Sequence, residues 1–193
     1  MTQFSLFGAE VAPPALDDLD GVLLAGGHWV RTPGGTARLS VVVRDRWRAE
    51  ALAAAYAERG VASGSDDAIV DDNGMLAART AFHDDLVYWA QRWTRGSRED
   101  APPGLRLTAG GLRLWAVAAG RTDEAGYLLE TAEPDDSVHR AGGAQLAALG
   151  LAGVSIVRGG PGWRITSVKR LRRLAELVGA PPPGAGADWP RLH

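Results

Sequence analysis

The sequence predicts an α+β protein built from two pseudo-repeated αββαββα units. Hairpin patterns alternate with helical patterns along residues 16–179. An Ile-Val pair precedes a glycine turn at residues 69–70 and again at residues 156–157. Two similar strings of elements in one chain indicate an internal duplication. The alternative is a chance similarity, because alternating helices and hairpins are common.

The first unit begins with a helix of small and apolar residues, predicted over residues 19–27. A hairpin follows, because a Pro-Gly-Gly turn at residues 33–35 separates two runs with β-branched residues. We expect its strands at residues 29–31 and 38–43.

Helical and hairpin patterns then alternate again in the first unit. Asp45 predicts the N-cap of a helix over residues 47–59. A second strand pair is expected at residues 68–70 and 76–80, because the Asp-Asn-Gly sequence between them favours a tight turn. The unit closes with a helix over residues 84–93, where apolar residues recur at helical spacing.

The second unit repeats this order from residue 108 onward. Its helices show apolar residues on one face, and its glycine-rich segment at residues 159–162 predicts a hairpin turn. The predicted elements are, in order, a helix at 112–120, a strand at 126–131, a helix at 137–149, strands at 154–157 and 163–166, and a helix at 167–178.

Proline-rich segments flank these two units. Residues 12–14 contain Pro-Pro, and residues 181–183 are three prolines followed by Gly, Ala and Gly. Such segments interrupt regular structure. We therefore divide the chain into an N-terminal tail at 1–15, a first half at 16–100, a second half at 101–179, and a Pro/Gly-rich C-terminal tail at 180–193.

Composition excludes several classes of protein. The chain has 193 residues, of which 46% are hydrophobic and 23% charged, so it can form a sizeable core. It has no Cys, which excludes a disulfide scaffold, a thiolate zinc site and a Cys nucleophile. The four His show no metal-ligand spacing, and we predict neither a metal nor a cofactor. No apolar run approaches the roughly 20 residues of a membrane span, so we expect a cytoplasmic protein.

The order of elements, with small-residue helices at 19–27 and 112–120, resembles the LAGLIDADG homing-endonuclease fold. Both helices carry Leu at the first position, Ala at the seventh and Gly at the ninth. In that family the first helices of the two units pack closely at the centre of the molecule. The resemblance implies the same packing here, because small side chains let helix backbones approach.

The resemblance also implies a catalytic acid at the eighth position of each helix. This chain has Gly26 and Ala119 there. Neither side chain supplies the oxygen ligand that a hard cation requires. We therefore predict a catalytically degenerate domain that is not an enzyme.

The pentapeptide at residues 3–7 resembles the bacterial sliding-clamp-binding motif, Gln-Leu-Ser/Asp-Leu-Phe. The resemblance implies that Leu6 and Phe7 fill an apolar cleft on the clamp and that Gln3 hydrogen-bonds at its rim. Phe4 stands where the motif has Leu. The alternatives are a strand that packs on its own body and a chance match.

Basic residues concentrate in the second half. Residues 1–100 hold 15 acidic residues against 10 Arg, whereas residues 101–193 hold 11 basic residues against 8 acidic ones. The resembled fold saddles DNA with its sheets, which implies surface positions for Arg38, Ser40, Arg164 and Thr166. The alternative for the last helix is a solvated face. The candidate DNA-binding residues are Arg38, Arg158, Arg164, Lys169, Arg170, Arg172 and Arg173.

Together these features predict a nucleoid-associated accessory protein of DNA replication or repair. Its partners would be the bacterial sliding clamp and double-stranded DNA, since a tether raises the effective concentration of a weakly basic body at the duplex. One alternative is a metal-dependent nuclease or other enzyme with a site between the halves, using Asp17, Asp18 and Asp20. Another is a protein-interaction module without nucleic acid.

Overall fold

The computed structural model describes residues 12–64, 69–72 and 75–191. The first half opens with a 3₁₀ turn at Leu16–Leu19, which leads directly into the first α-helix. Its further elements are helices α1 (Asp20–Leu24), α2 (Arg46–Glu58) and α3 (Leu86–Arg92), and strands β1 (His28–Arg31), β2 (Ala37–Val43), β3 (Ile69–Asp72) and β4 (Met75–Arg79).

A short hairpin lies between the two halves, and the second half then repeats the order of the first. The hairpin strands are β5 (Thr94–Arg95) and β6 (Arg98–Glu99). The second half contains helices α4 (Ala109–Ala119), α5 (Ser137–Ala148) and α6 (Val168–Val178), and strands β7 (Gly120–Asp123), β8 (Gly126–Glu130), β9 (Val154–Ile156) and β10 (Gly162–Ile165).

The two halves form antiparallel sheets with the same strand order. The order is β1-β2-β4-β3 in the first sheet and β7-β8-β10-β9 in the second. The predicted α+β class and the αββαββα repeat are therefore confirmed. Three strands were missed: the short hairpin β5–β6, which follows the predicted helix at 84–93, and β7, which begins at Gly120, predicted as the end of a helix. Strand β7 is the one that belongs to a main sheet. That strand is the short polar sequence Gly-Arg-Thr-Asp, which has no apolar alternation to indicate a strand.

Helices α1 and α4 pack backbone against backbone at the centre. A Cβ atom on Gly21 would overlap the carbonyl oxygen of Gly111, so only glycine fits there. The close packing that the resemblance implied is therefore present. Helix α4 begins at Ala109, about one turn before the predicted start at residue 112, and this extra turn supplies the contact with Gly21.

Each sheet packs one face on the helices. In β2, Leu39 and Val41 are buried, whereas Val42 is 48% exposed. In the second sheet Tyr127 and Leu129 enter the same core as the helices. Side chains alternate between faces along a strand, so each sheet has an inner face on the helices and an outer face.

Arg48 of α2 joins the two halves. Its guanidinium is buried and donates to the carbonyl oxygens of Ala116 (3.3 Å), Val117 (2.8 Å) and Gly120 (2.7 Å). These carbonyls lie at the C-terminal end of α4, where helix carbonyls have no partner inside the helix. A side chain from the first half therefore caps the central helix of the second.

The C-terminal segment packs on the body up to residue 191. Trp189 is buried, and its Nε1 donates to the carbonyl oxygen of Gly179 at 2.8 Å. Asp188 accepts from Arg48 at 3.2 Å. The extended tail expected from the Pro/Gly composition is therefore a docked segment, because its tryptophan finds an apolar place on the body.

Within the described parts of the chain, none of the helices combines the length and apolar character needed to cross a membrane.

Candidate nucleic-acid interface

The outer faces of both sheets carry exposed apolar side chains among arginines. Val30 and Val42 of the first sheet and Val154 of the second are exposed. Val30 pairs with Arg38 across β1 and β2, and Val154 pairs with Arg164 across β9 and β10. Directly paired residues point to the same face, so both arginines belong to outer faces.

The two outer faces open on one central cleft. The cleft is a cavity of about 450 Å³ at the C-terminal ends of α1 and α4. It contains outer-face residues of both sheets, which shows that the two faces lie on the same side of the molecule. Its lining consists of Ala25, Val42, Val43, Arg44, Arg48, Met75, Ala118, Ala119, Glu130 and Thr131.

A row of basic side chains crosses the second sheet. Arg121 of β7 and Arg164 of β10 both pair with Leu128 of β8, one from each side. Since neighbouring strands lie about 4.8 Å apart, the two backbones that carry these arginines are separated by roughly 10 Å. Both guanidinium groups remain partly exposed.

Two carboxylates hold the arginines of this region. Arg121 Nε donates to Glu130 at 2.9 Å, and Arg164 donates to Asp123 at 2.7 Å. Arg44, from the first half, reaches across the cleft and donates to the other oxygen of Glu130. The pair Arg44–Glu130 therefore bridges the two halves at the mouth of the cleft.

Glu130 remains ionised in this setting. Burial alone would raise the pKa of its carboxyl, but the hydrogen bonds and charges of Arg44 and Arg121 outweigh burial and hold that pKa below its ordinary value. Sequence reasoning missed all three residues. Arg121 lies between the predicted helix at 112–120 and the predicted strand at 126–131, and nothing in the sequence indicates that Arg44 meets a residue of the other half.

The predicted DNA-binding residues of the sheets lie on the outer faces. Arg38 is partly buried and its guanidinium lies 4.2 Å from the centre of the Phe82 ring. Ser40 lies two residues further along the same face of β2, and it is buried. Thr166 follows β10 two residues after Arg164 and is exposed.

The predicted basic residues of the last helix lie elsewhere. Leu174 and Val178 of α6 enter the core with Ile165, whose side chain points to the inner face of β10. The exposed basic face of α6 therefore lies on the helix layer, on the other side of the sheet from Arg164. That face consists of Lys169, Arg170, Arg172 and Arg173, and Arg158 is exposed in the connection from β9 to β10.

Two basic side chains of α6 donate hydrogen bonds to backbone carbonyl oxygens of the segment that follows α5. Arg170 donates to the carbonyl oxygen of Ala152 at 2.8 Å, and Arg173 donates to that of Leu149 at 2.7 Å. Leu149 is the C-cap of α5, where carbonyl groups lack helical partners. These contacts fasten α6 to the end of α5. The structure does not bring the α6 cations together with Arg38 and Arg164.

The aspartates considered for an alternative active site have other roles. Asp18 is buried and accepts from Arg59 at 2.5 Å and from Thr108 at 2.5 Å. Asp20 is buried and accepts from Trp93 Nε1 at 2.7 Å. Asp17 is exposed. The three aspartates lie at the N-terminal end of α1, and none of them lines the cleft.

One exposed cluster has the donor atoms of a cation site. His83 Nδ1 lies 3.0 Å from a carboxylate oxygen of Asp84 and 3.5 Å from one of Asp85. The cluster immediately precedes α3, where acids are favoured by the helix dipole. The predicted helix over residues 84–93 already placed Asp84 and Asp85 at a helix start.

The clamp-like peptide, with Gln3, Phe4, Leu6 and Phe7, lies outside the described residues, so the structure does not test it.

No protein-family model and no curated protein matches this chain. Among solved structures, the chain is similar to one described as the homing endonuclease I-WcaI bound to its DNA recognition sequence. The TM-score is 0.63, the sequence identity is 15%, and the match covers 84% of this chain and 79% of that chain. The predicted homing-endonuclease-like fold is confirmed.

The same comparison corrects one prediction. From Gly26 and Ala119 we expected that the chain is not an enzyme, but the protein whose fold it shares is a homing endonuclease and hence an enzyme. That expectation is contradicted. The absence of acids at two helix positions was therefore too narrow a basis for that expectation.

Proposed function

We propose that this chain binds double-stranded DNA across the outer faces of its two sheets. The observation that carries the proposal is that two sheets of identical order turn arginine-bearing faces toward one central cleft. A solved protein of similar fold is described as bound to its DNA recognition sequence, which supports the same use of the fold here.

The chemistry of the outer faces suits a phosphate backbone. Guanidinium groups bind phosphate with two parallel hydrogen bonds, and Arg38, Arg121 and Arg164 present three of them on the two faces. Exposed apolar side chains between them would contact sugars and base edges. A face of this kind binds duplex DNA with an affinity that falls as salt rises, because bound phosphates release their counterions.

The test is a titration of a fluorescent 30-base-pair duplex at several salt concentrations. Replacing Arg38 or Arg164 by Gln should weaken binding by roughly 5-fold to 10-fold and lower the salt slope by about one. Arg106→Gln is the matched control. It removes the same charge from an exposed residue before α4, at the opposite end of the central helix from the cleft, and it should bind as the wild type does.

Lys169→Gln distinguishes the sheet faces from the basic helix. If Lys169→Gln weakens binding while Arg38→Gln and Arg164→Gln do not, the duplex lies on α6 and the proposal is wrong. Equal binding by all four variants would also contradict it.

We further propose that the peptide at residues 3–7 docks on a bacterial sliding clamp and brings the DNA-binding body to sites of replication or repair. The motif itself supports this, and residues 12–15, which join the peptide to the body, are exposed. Two buried apolar side chains, Leu6 and Phe7, would contribute on the order of 3–5 kcal/mol before ordering costs.

The clamp proposal is tested with purified clamp and the full chain. The double variant Leu6→Ala/Phe7→Ala should lose binding, whereas Thr2→Ala, next to the motif but outside it, should keep it. Unchanged affinity in the double variant would remove the clamp from the proposal without affecting DNA binding.

A further inference from the structure

The outer face of the second sheet carries its own acids. Asp123 and Glu130 engage three arginines between them, namely Arg44, Arg121 and Arg164. The acids lie on the same outer face as Arg121 and Arg164, which both pair with Leu128 of β8. Along β8, one acid lies level with a residue before Leu128 and the other lies after it. Asp123 pairs with Gly126, two residues before Leu128, and Glu130 follows Leu128 by two residues.

The two carboxylates of these pairs are enclosed, whereas the arginines remain partly open to solvent. The side chains of Glu130 and Asp123 are only 12% and 15% exposed. The turn between β9 and β10 lies against Glu130, since a Cβ on Gly160 would come within 2.9 Å of its carboxylate oxygen and within 3.8 Å of an Arg121 nitrogen. The pairs therefore have a fixed geometry.

We propose that Asp123 and Glu130 act as internal competitors of DNA phosphate for Arg44, Arg121 and Arg164. This inference rests on the proposed binding of DNA by the outer faces. A carboxylate and a phosphate present similar pairs of oxygens to a guanidinium. Each arginine therefore uses the same N–H donors for either group, and it binds the carboxylate or the phosphate but not both. The two acids lower the affinity of the face, and DNA binds only by displacing them.

The proposal explains the charge of the site. Three arginines with two carboxylates leave one net positive charge on a face that would otherwise carry three. Displaced acids also stay beside the bound duplex and repel its phosphates. Such a face holds a duplex that fits all its contacts and releases duplexes that fit only some of them.

The experiment compares Asp123→Asn, Glu130→Gln and Glu176→Gln with the wild type, using the full chain and the same fluorescent duplex. Asp123→Asn and Glu130→Gln should each bind about 3-fold to 10-fold more tightly, and their salt slopes should be steeper, because Asp123→Asn frees Arg164 and Glu130→Gln frees both Arg44 and Arg121 for phosphate. Glu176→Gln is the control. It removes one negative charge from an exposed residue of α6, on the helix layer, and should bind as the wild type does.

The outcomes separate this inference from the proposed function. If the wild type binds the duplex but neither Asp123→Asn nor Glu130→Gln binds more tightly, the competition is refuted while DNA binding stands. If Glu176→Gln alone binds more tightly, the duplex lies on α6, and both are refuted. If no protein binds at any salt concentration, the proposed function itself fails. Thermal unfolding of each variant checks that it is folded, and should Glu130→Gln not fold, Asp123→Asn still decides the question.

Discussion

Asp20 shows how burial changes the role of a residue. The sequence offered it as a candidate catalytic acid, but the structure encloses it beneath Trp93 and Arg92. Burial raises the pKa of its carboxyl from 3.8 to about 6, although the hydrogen bond from Trp93 and the charge of Arg92 oppose the rise. The folded protein therefore favours the protonated form of this side chain more than the unfolded chain does.

This shift predicts a pH-dependent difference between the wild type and Asp20→Asn. In the unfolded chain Asp20 ionises near pH 4, whereas in the folded protein it ionises near pH 6. The wild type therefore loses stability relative to Asp20→Asn as pH rises from about 4 through about 6, by up to about 3 kcal/mol, and the difference levels off at about pH 7. Urea unfolding of both proteins between pH 4 and pH 7 measures it.

Only the difference in unfolding free energy between the wild type and Asp20→Asn reports on the ionisation of Asp20 alone. Burial also raises the pKa of Glu99 to about 7, although the backbone N–H of Trp29 donates to its carboxylate, so the pH response of the wild type alone contains more than the ionisation of Asp20. Asn keeps an oxygen to accept from Trp93 and has no charge to lose. A difference in unfolding free energy that does not change between pH 4 and pH 7 would show that Asp20 ionises normally in the folded protein.

At the scale of elements, the sequence determined most boundaries through caps and turns. Asp45 stands at the N-cap of α2 as predicted, although its carboxylate accepts from Arg48 Nε rather than from the helix backbone. Asp136 caps α5, which begins at residue 137 as predicted, and accepts from the backbone N–H of His139 at 2.7 Å. The residues at which α1 and α4 cross could not be predicted in the same way, and the sequence made no prediction of them. The crossing point depends on where two helices from distant parts of the chain approach each other. Each helix contains several small residues that would allow a close contact, so the sequence does not single out one pair.

The helix crossing predicts a strong effect of one methyl group. Gly21→Ala would place a Cβ on the carbonyl oxygen of Gly111, a backbone atom that cannot move without shifting α4. Overpacking of this kind costs typically 1–3 kcal/mol and here should reach at least the upper end of that range. Thermal unfolding measures it. Gly64→Ala is the control, because a Cβ there meets nothing within 4 Å.

The outcome of Gly21→Ala also tests the observed crossing point of the two helices. If Gly21→Ala is as stable as Gly64→Ala, the two helices do not touch at Gly21.

For the whole molecule, the sequence predicted the duplication and the fold but only part of the site. Arg38 and Arg164 were found because strand alternation places them on outer faces. Arg44 and Glu130 were not, since their pairing joins residues that are 86 positions apart and belong to different halves. A site at the junction of two repeats is formed by tertiary contacts that no local pattern records.

The same junction predicts that neither half is stable alone. Residues 1–100 would expose Gly21 and its helix, and residues 101–193 would leave the C-terminal carbonyls of α4 without Arg48. Separately produced halves should show no cooperative unfolding by circular dichroism. Mixed in equal amounts, they should form a 1:1 complex, detected by size-exclusion chromatography with light scattering, and that complex should unfold cooperatively. A cooperative transition in either isolated half would mean that its own sheet and helices suffice for stability, and that the central crossing only joins two independent domains.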